Sequence, residues 1–211
     1  MPPLLLANGL TLLIAELKDF GPLELLWPFW FQNVWIGLAS AQRIRSLRDY
    51  STAGLRINDR PVAPSPELPR RLAWFFLLHY GFFHLGYLVF LVALTYGSAP
   101  DGTIEVTEAE SGERHEVFLG HPDGLDWLGV GLLALVFRWT AGREARELGP
   151  GRRPPNIGAL MFLPYLRVVP MHLAIILALL LGAGATIWLF VALKTVAEAA
   201  TLHLARKIEG G

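Results

Sequence analysis

The sequence of 211 residues contains no cysteine. Disulfide bonds, thiolate zinc sites and a cysteine nucleophile are therefore excluded. Charge is also scarce, since Asp, Glu, Lys and Arg make up 17% of the residues, against roughly 25% in an ordinary soluble domain. The formal net charge is zero, so the composition gives no indication of nucleic-acid binding.

A serine nucleophile is missing as well. The stretch HYGFFHLGY, residues 79–87, has the His-x-x-x-x-His spacing found in the second helix of rhomboid proteases. Those enzymes also need a G-x-S-G motif on a later span, and the comparable stretch here, GAGAT at 182–186, has no serine. Intramembrane serine proteolysis is therefore excluded.

Hydrophobic residues are abundant: they make up 53% of the chain, and the mean hydropathy is +0.42. They are concentrated in six blocks, and a helix needs about 20 mostly apolar residues to cross about 30 Å of hydrocarbon. We therefore predict six membrane spans, the last two separated by a turn at residues 182–184. The predicted spans cover residues 2–17, 22–42, 72–97, 125–141, 158–181 and 185–205.

The loops predict how these spans are oriented, because Lys and Arg stay on the cytoplasmic side of short loops. Residues 42–71 contain seven arginines and three acids, whereas residues 98–126 contain eight acids and one arginine. Residues 142–156 contain four arginines and two glutamates. Two more basic residues, Arg206 and Lys207, follow the last predicted span. Six spans with both termini in the cytoplasm satisfy every loop.

The predicted fold is therefore an all-α, six-helix transmembrane bundle that forms a single domain over residues 1–211. The segment TIEVTEAESGERHEVFL, residues 103–119, alternates apolar and polar residues around a turn that contains glycine. This pattern predicts a small β-hairpin in the extracytoplasmic loop. Four prolines between residues 60 and 71 predict an extended connector on the cytoplasmic side.

Polar side chains recur at a similar depth in four of the predicted spans. Each charged side chain at such a depth costs about 2.5–3.5 kcal/mol, so it normally faces the interior of the bundle and is paired. Lys194 and Glu198 are four residues apart and share one helix face. Glu198 is also the acidic residue at the level of Arg167. The predicted cluster consists of Asn33, His79, His84, Arg167, His172, Lys194, Glu198 and, nearer the cytoplasm, His203.

Histidine and glutamate from three helices are a plausible ligand set for a transition metal, or for haem held by two histidines. The metal candidates are His79, His84, His172, Glu198 and His203. No H-E-x-x-H or Glu-x-x-His motif accompanies them. The alternative is that each histidine is a buried ring hydrogen-bonded to a neighbouring helix, and that Arg167 and Glu198 form a structural ion pair.

Four stretches resemble a family of small bacterial polytopic membrane proteins known only as a domain of unknown function. They are FWFQNVWIGL (29–38), LHYGFFHLGYLVFL (78–91), PYLRVVPMHLAII (164–176) and LKTVAEAATLHLARK (193–207). The resemblance covers about a quarter of the chain and places every residue of the predicted cluster in a motif stretch. The family pattern has a glutamate where this chain has Gln32, and an aspartate where it has Glu198. The resemblance implies a location in the inner membrane of a bacterium, but it implies no activity.

Three functional hypotheses follow, and they leave open whether the chain is an enzyme. In the first, the cluster binds a metal, haem or a small polar ligand. In the second, the chain is a non-catalytic accessory or scaffold subunit whose buried charges hold the helices together. In the third, it is a small transporter or channel. The expected partners are the lipid bilayer and other membrane subunits or further copies of the chain, with no nucleic acid.

Overall fold

The structure is a computed structural model that describes residues 2–107, 112, 114–124, 126–147, 154–181 and 183–210. Within these residues the chain is mostly helical and forms six helices, as the six apolar blocks predict. The helices are α1 (Pro2–Lys18), α2 (Pro22–Ser46), α3 (Leu68–Gly97), α4 (Asp126–Glu147), α5 (Ile157–Leu181) and α6 (Ala183–Gly210).

The helix ends differ from the predicted spans at one end of the molecule. α2, α3, α4 and α6 each extend four to six residues beyond the predicted span at the end that carries the Arg and Lys residues. Each predicted span ends where the apolar block meets its first charged residues. Arg and Lys are good helix formers, however, and do not break a helix. α3 begins inside the stretch predicted to be an extended connector, with Pro69 in its first turn, where a missing N–H costs nothing.

Two short antiparallel strand pairs accompany the helices. The predicted hairpin consists of β3 (Thr103–Thr107) and β4 (Arg114–Phe118), paired from Thr103 with Phe118 to Thr107 with Arg114. Most of its predicted turn lies outside the described residues, as does residue 182 of the turn between α5 and α6. A second pair, β1 (Arg56–Ile57) and β2 (Arg60–Pro61), lies in the connector between α2 and α3 and was not predicted.

α2 is the central helix, because it packs against α3, α4, α5 and α6. Its buried apolar residues fall into two separate clusters. The first includes the segment 23–29 and packs against α4 and the first half of α6, and the second includes Ala41 and Ile44 and packs against the first halves of α3 and α5. Gln32 and Asn33 lie between the two clusters and are buried. A polar layer therefore separates two apolar cores.

Backbone hydrogen bonds connect loops at each end of the molecule. At one end, Leu23 N donates to Leu119 O at 2.8 Å, so the first turn of α2, next to the connection from α1, contacts the loop that follows β4. At the other end, Ser51 N donates to Pro155 O at 2.9 Å, so the connector between α2 and α3 contacts the one between α4 and α5. Loops predicted to share a side of the membrane are thus in contact.

Candidate functional site

The polar layer is built around a buried ion pair on α6. Besides Gln32 and Asn33, the layer contains Asn8, Tyr80, His84, Arg167, Lys194 and Glu198. Lys194 Nζ donates to Glu198 Oε1 at 2.7 Å, and the two side chains are 2% and 5% exposed. A spacing of four residues places them on one helix face, as the sequence predicts. The positive charge of Lys194 also lies over the aromatic ring of Phe137, with its nitrogen 4.1 Å from the ring centroid. The ammonium is therefore surrounded by favourable partners although the Lys194 side chain is buried.

Two amide side chains complete the hydrogen bonds of Glu198. Asn8 Nδ2 donates to Glu198 Oε2 at 3.0 Å, and Gln32 Nε2 donates to Glu198 Oε1 at 3.0 Å. Asn8 Oδ1 in turn accepts a hydrogen bond from Lys194 at 2.8 Å. Three helices, α1, α2 and α6, are thus joined through one carboxylate. The predicted cluster does not include Asn8 and gives no role to Gln32, although both are amide side chains within apolar blocks.

Arg167 on α5 is buried, with 6% of its surface exposed. It lies close enough to interact electrostatically with both Glu198 and Tyr80. It therefore lies near both the ion pair on α6 and a second group of polar residues on α2 and α3.

This second group is organised by Tyr80 of α3. Its hydroxyl donates to the backbone oxygen of Asn33 at 3.2 Å, and its ring stacks on the imidazole of His84 with centroids 4.2 Å apart. Gly37 permits the contact, because a Cβ there would lie 2.5 Å from the Tyr80 ring. Trp30 Nε1 donates to the backbone oxygen of His84 at 2.9 Å. Asn33 and His84 were predicted as members of the cluster, whereas no role was predicted for Tyr80.

Three buried acceptor atoms of the layer have no hydrogen-bond donor in the described part of the chain: Gln32 Oε1, Asn33 Oδ1 and His84 Nε2. His84 Nδ1 lies 2.9 Å from the backbone oxygen of Tyr80. Because a carbonyl oxygen only accepts, Nδ1 carries the proton, and in the neutral ring Nε2 is left as an acceptor. More than nine-tenths of buried polar groups are paired in native proteins. Three open acceptors in one layer therefore mark a place for a donor.

The remaining predicted histidines lie on the surface. His79 is exposed and its Nδ1 lies 2.7 Å from the hydroxyl of Tyr165. His172 is exposed and its Nδ1 lies 3.1 Å from the hydroxyl of Tyr87. His203 is exposed on α6. His79 and His84, about 140° apart around the helix axis, point to different sides of α3.

The structure thus brings together only part of the predicted cluster. Lys194 and Glu198 are in direct contact and Arg167 is within electrostatic reach, while His79, His172 and His203 lie outside the layer. No group of three His, Cys, Asp or Glu side chains suited to a metal ion occurs among the described residues. Binding of metal or haem at the five metal candidates stays a prediction.

Comparison with known proteins identifies a family but no activity. Residues 1–210 match a family described as "Family of unknown function (DUF6498)". Neither the curated proteins nor the solved structures gave a match.

Proposed function

We propose that this chain, which belongs to the DUF6498 family of unknown function, is an integral membrane protein whose polar layer binds a small polar ligand. Among the described residues, two helices are long and apolar enough to cross a membrane, Leu68–Gly97 and Ala185–Ile208. By length and composition alone they indicate only an association with a membrane. The distribution of polarity adds to this, because large apolar side chains such as Leu78 and Phe82 are exposed, while the charged side chains of Arg167, Lys194 and Glu198 are buried.

The proposed topology has six spans with both termini in the cytoplasm of a bacterium. The contacts between loops support it. Ser51 and Asn156 are bridged, and they belong to the two arginine-rich connectors that the topology places in the cytoplasm. Leu119, in the acidic loop, is hydrogen-bonded to the first turn of α2, which the topology places outside.

The observation that carries the ligand-binding proposal is the set of open acceptors at Gln32, Asn33 and His84. A buried acceptor without a donor costs about 1–3 kcal/mol. A ligand with N–H or O–H groups would remove that cost at three positions. Only one of the three acceptors is an imidazole and none is a carboxylate, so the set suits a small polar ligand better than a transition-metal ion.

The experiment is to identify what the detergent-purified chain retains. Small molecules released by denaturation are measured by mass spectrometry, together with elemental analysis for metals and an absorption spectrum for haem. We expect one compound per chain, absent from the double variant Asn33→Leu with His84→Phe and present in the matched control His203→Phe. If the wild-type chain retains no compound, the binding proposal is wrong. It is also wrong if the double variant retains the same compound as the wild type.

A second candidate function is a non-catalytic accessory subunit that joins other membrane subunits or further copies of the chain. It is favoured by the internal completeness of the ion pair, since Glu198 accepts hydrogen bonds from Lys194, Asn8 and Gln32. In that case the layer only holds the helices together. Alanine variants would then lower the melting temperature without releasing any compound, and membrane partners would co-purify with the wild-type chain.

A further inference from the structure

Two Tyr–His pairs, each made of an exposed histidine and a half-buried tyrosine, lie on either side of the buried His84. Together they form the α3–α5 seam, defined as His79 and Tyr87 on α3 with Tyr165 and His172 on α5. The hydrogen bonds His79–Tyr165 and Tyr87–His172 both cross from α3 to α5. Polar side chains are costly where a helix faces hydrocarbon. Their presence on this surface therefore calls for a reason beyond packing.

A continuous series of ring contacts leads from this surface to the polar layer. On one side, the rings of Tyr165 and Tyr80 are 5.3 Å apart, and Tyr80 stacks on His84. On the other side, the rings of Tyr87 and His84 are 6.1 Å apart. The ring of His84, which carries the open Nε2 atom, is therefore next to a tyrosine ring of the seam.

The surface beside the seam is apolar and has room. Phe83 and Val169, which flank the seam on α3 and α5, are 46% and 50% exposed. Gly86 lies seven residues after His79 and thus on the same helix face, and a Cβ added there would meet no atom within 4 Å. A hydrocarbon tail can lie along this surface while a polar head group reaches inward.

From this geometry we infer that the ligand is a membrane-soluble molecule with an O–H head group and a hydrocarbon tail, which enters sideways through the α3–α5 seam. This inference rests on the proposed function and specifies its ligand. The head group, an alcohol or a phenol, donates to His84 Nε2 and reaches Asn33 Oδ1. A ligand that enters from water would not pass the Tyr–His pairs, because these pairs face the lipid.

The test measures binding of tritiated hexadecan-1-ol to the full chain in lipid nanodiscs by scintillation proximity. We expect saturable binding, displaced by unlabelled hexadecan-1-ol or by decyl hydroquinone, which distinguish an alcohol from a phenol as the preferred head group. Hexadecyl methyl ether, which has the tail but no donor, should not displace it. Equal displacement by the ether would overturn the inference.

Variants locate the site. His84→Phe removes the acceptor and should weaken binding about tenfold, whereas His84→Gln keeps an acceptor and should restore much of it. Gly86→Leu fills the seam without touching an acceptor and should weaken binding too. His203→Phe is the matched control and should bind like the wild type. Circular dichroism and the elution profile show whether each variant is folded.

The inference and the proposed function fail differently. If hexadecan-1-ol and decyl hydroquinone do not bind, but glycerol raises the melting temperature of the wild type and not of His84→Phe, the ligand comes from water and only the inference is wrong. If none of these probes binds and the purified chain retains no compound, both are wrong. Unchanged binding of hexadecan-1-ol to His84→Phe and Gly86→Leu places the alcohol elsewhere and overturns the inference.

Discussion

At the scale of single residues, Glu198 joins α6 to α1 and α2. It accepts hydrogen bonds from Lys194, Asn8 and Gln32, and it is 4% exposed. Removing one partner of a buried ion pair leaves an uncompensated charge, which is far more costly than never having had the pair. The effect of a substitution therefore depends on whether its partner is changed with it.

We expect Glu198→Ala to lower the free energy of unfolding by about 3–5 kcal/mol, measured by denaturant unfolding in detergent. The double variant Lys194→Met with Glu198→Leu should recover a large part of this loss, because no charge then remains buried in the pair. Glu67→Ala is the matched control, since Glu67 and Arg71 form an exposed pair with the same four-residue spacing at 3.2 Å. Its effect should be below about 1 kcal/mol. Equal losses for Glu67→Ala and Glu198→Ala would contradict the role of burial.

At the scale of elements, the β3–β4 hairpin is attached to α2 through the backbone of residues 119–120. Gly120 has a φ of +87°, and a Cβ at this position would overlap the carboxylate of Glu24. Glu24 is buried and its Oε2 accepts a hydrogen bond from Gly21 N at 3.0 Å. Glycine at 120 is therefore required both by the backbone angle and by the space.

We expect Gly120→Ala to release the hairpin from α2 and to speed hydrogen exchange in β3 and β4. Gly54→Ala is the control, because Gly54 has a φ of +76° but its added Cβ would meet no atom within 4 Å. Gly54→Ala should therefore show only the backbone cost, about 1 kcal/mol, with no change in exchange of the hairpin. If both variants leave the hairpin equally protected, Glu24 and Gly120 do not attach it.

At the scale of the whole molecule, a topology of six spans and one of two spans place the same connecting segments on opposite sides of the membrane. If only α3 and α6 crossed the membrane, Pro154 would lie on the same side as the acidic loop, and Lys18 on the side of the arginine-rich connector. With six spans the two positions exchange sides. The natural chain has no cysteine, so single introduced cysteines can report each position without interference.

We expect a membrane-impermeant maleimide to label Lys18→Cys and Glu116→Cys from the outside of intact bacterial cells. Arg48→Cys and Pro154→Cys should be labelled only after the membrane is permeabilised. All four positions are exposed in the fold, so lack of labelling reports the membrane and not burial. Labelling of Pro154→Cys from outside would contradict the six-span topology.

Much of the fold could be predicted, because hydropathy and the glycines and prolines that interrupt helices are local properties of the chain. The six helices and the β3–β4 hairpin follow from apolar blocks, glycine-containing turns and alternation of residue types. The helix ends could not be predicted from hydropathy, since α2 continues through Arg43 and Arg45 to Ser46. Backbone hydrogen bonding, and not the polarity of side chains, decides where a helix stops.

The candidate site was predictable only in part. Lys194 and Glu198 could be paired from sequence because a spacing of four residues on a helix fixes their proximity. Sequence determined, by itself, that costly polar residues recur at one depth. Only the tertiary structure decided which of them meet: it placed Asn8 and Gln32 on Glu198, left His84 with an open acceptor, and turned His79, His172 and His203 outward. The rotation of each helix about its axis depends on packing against neighbours that are far away in the chain.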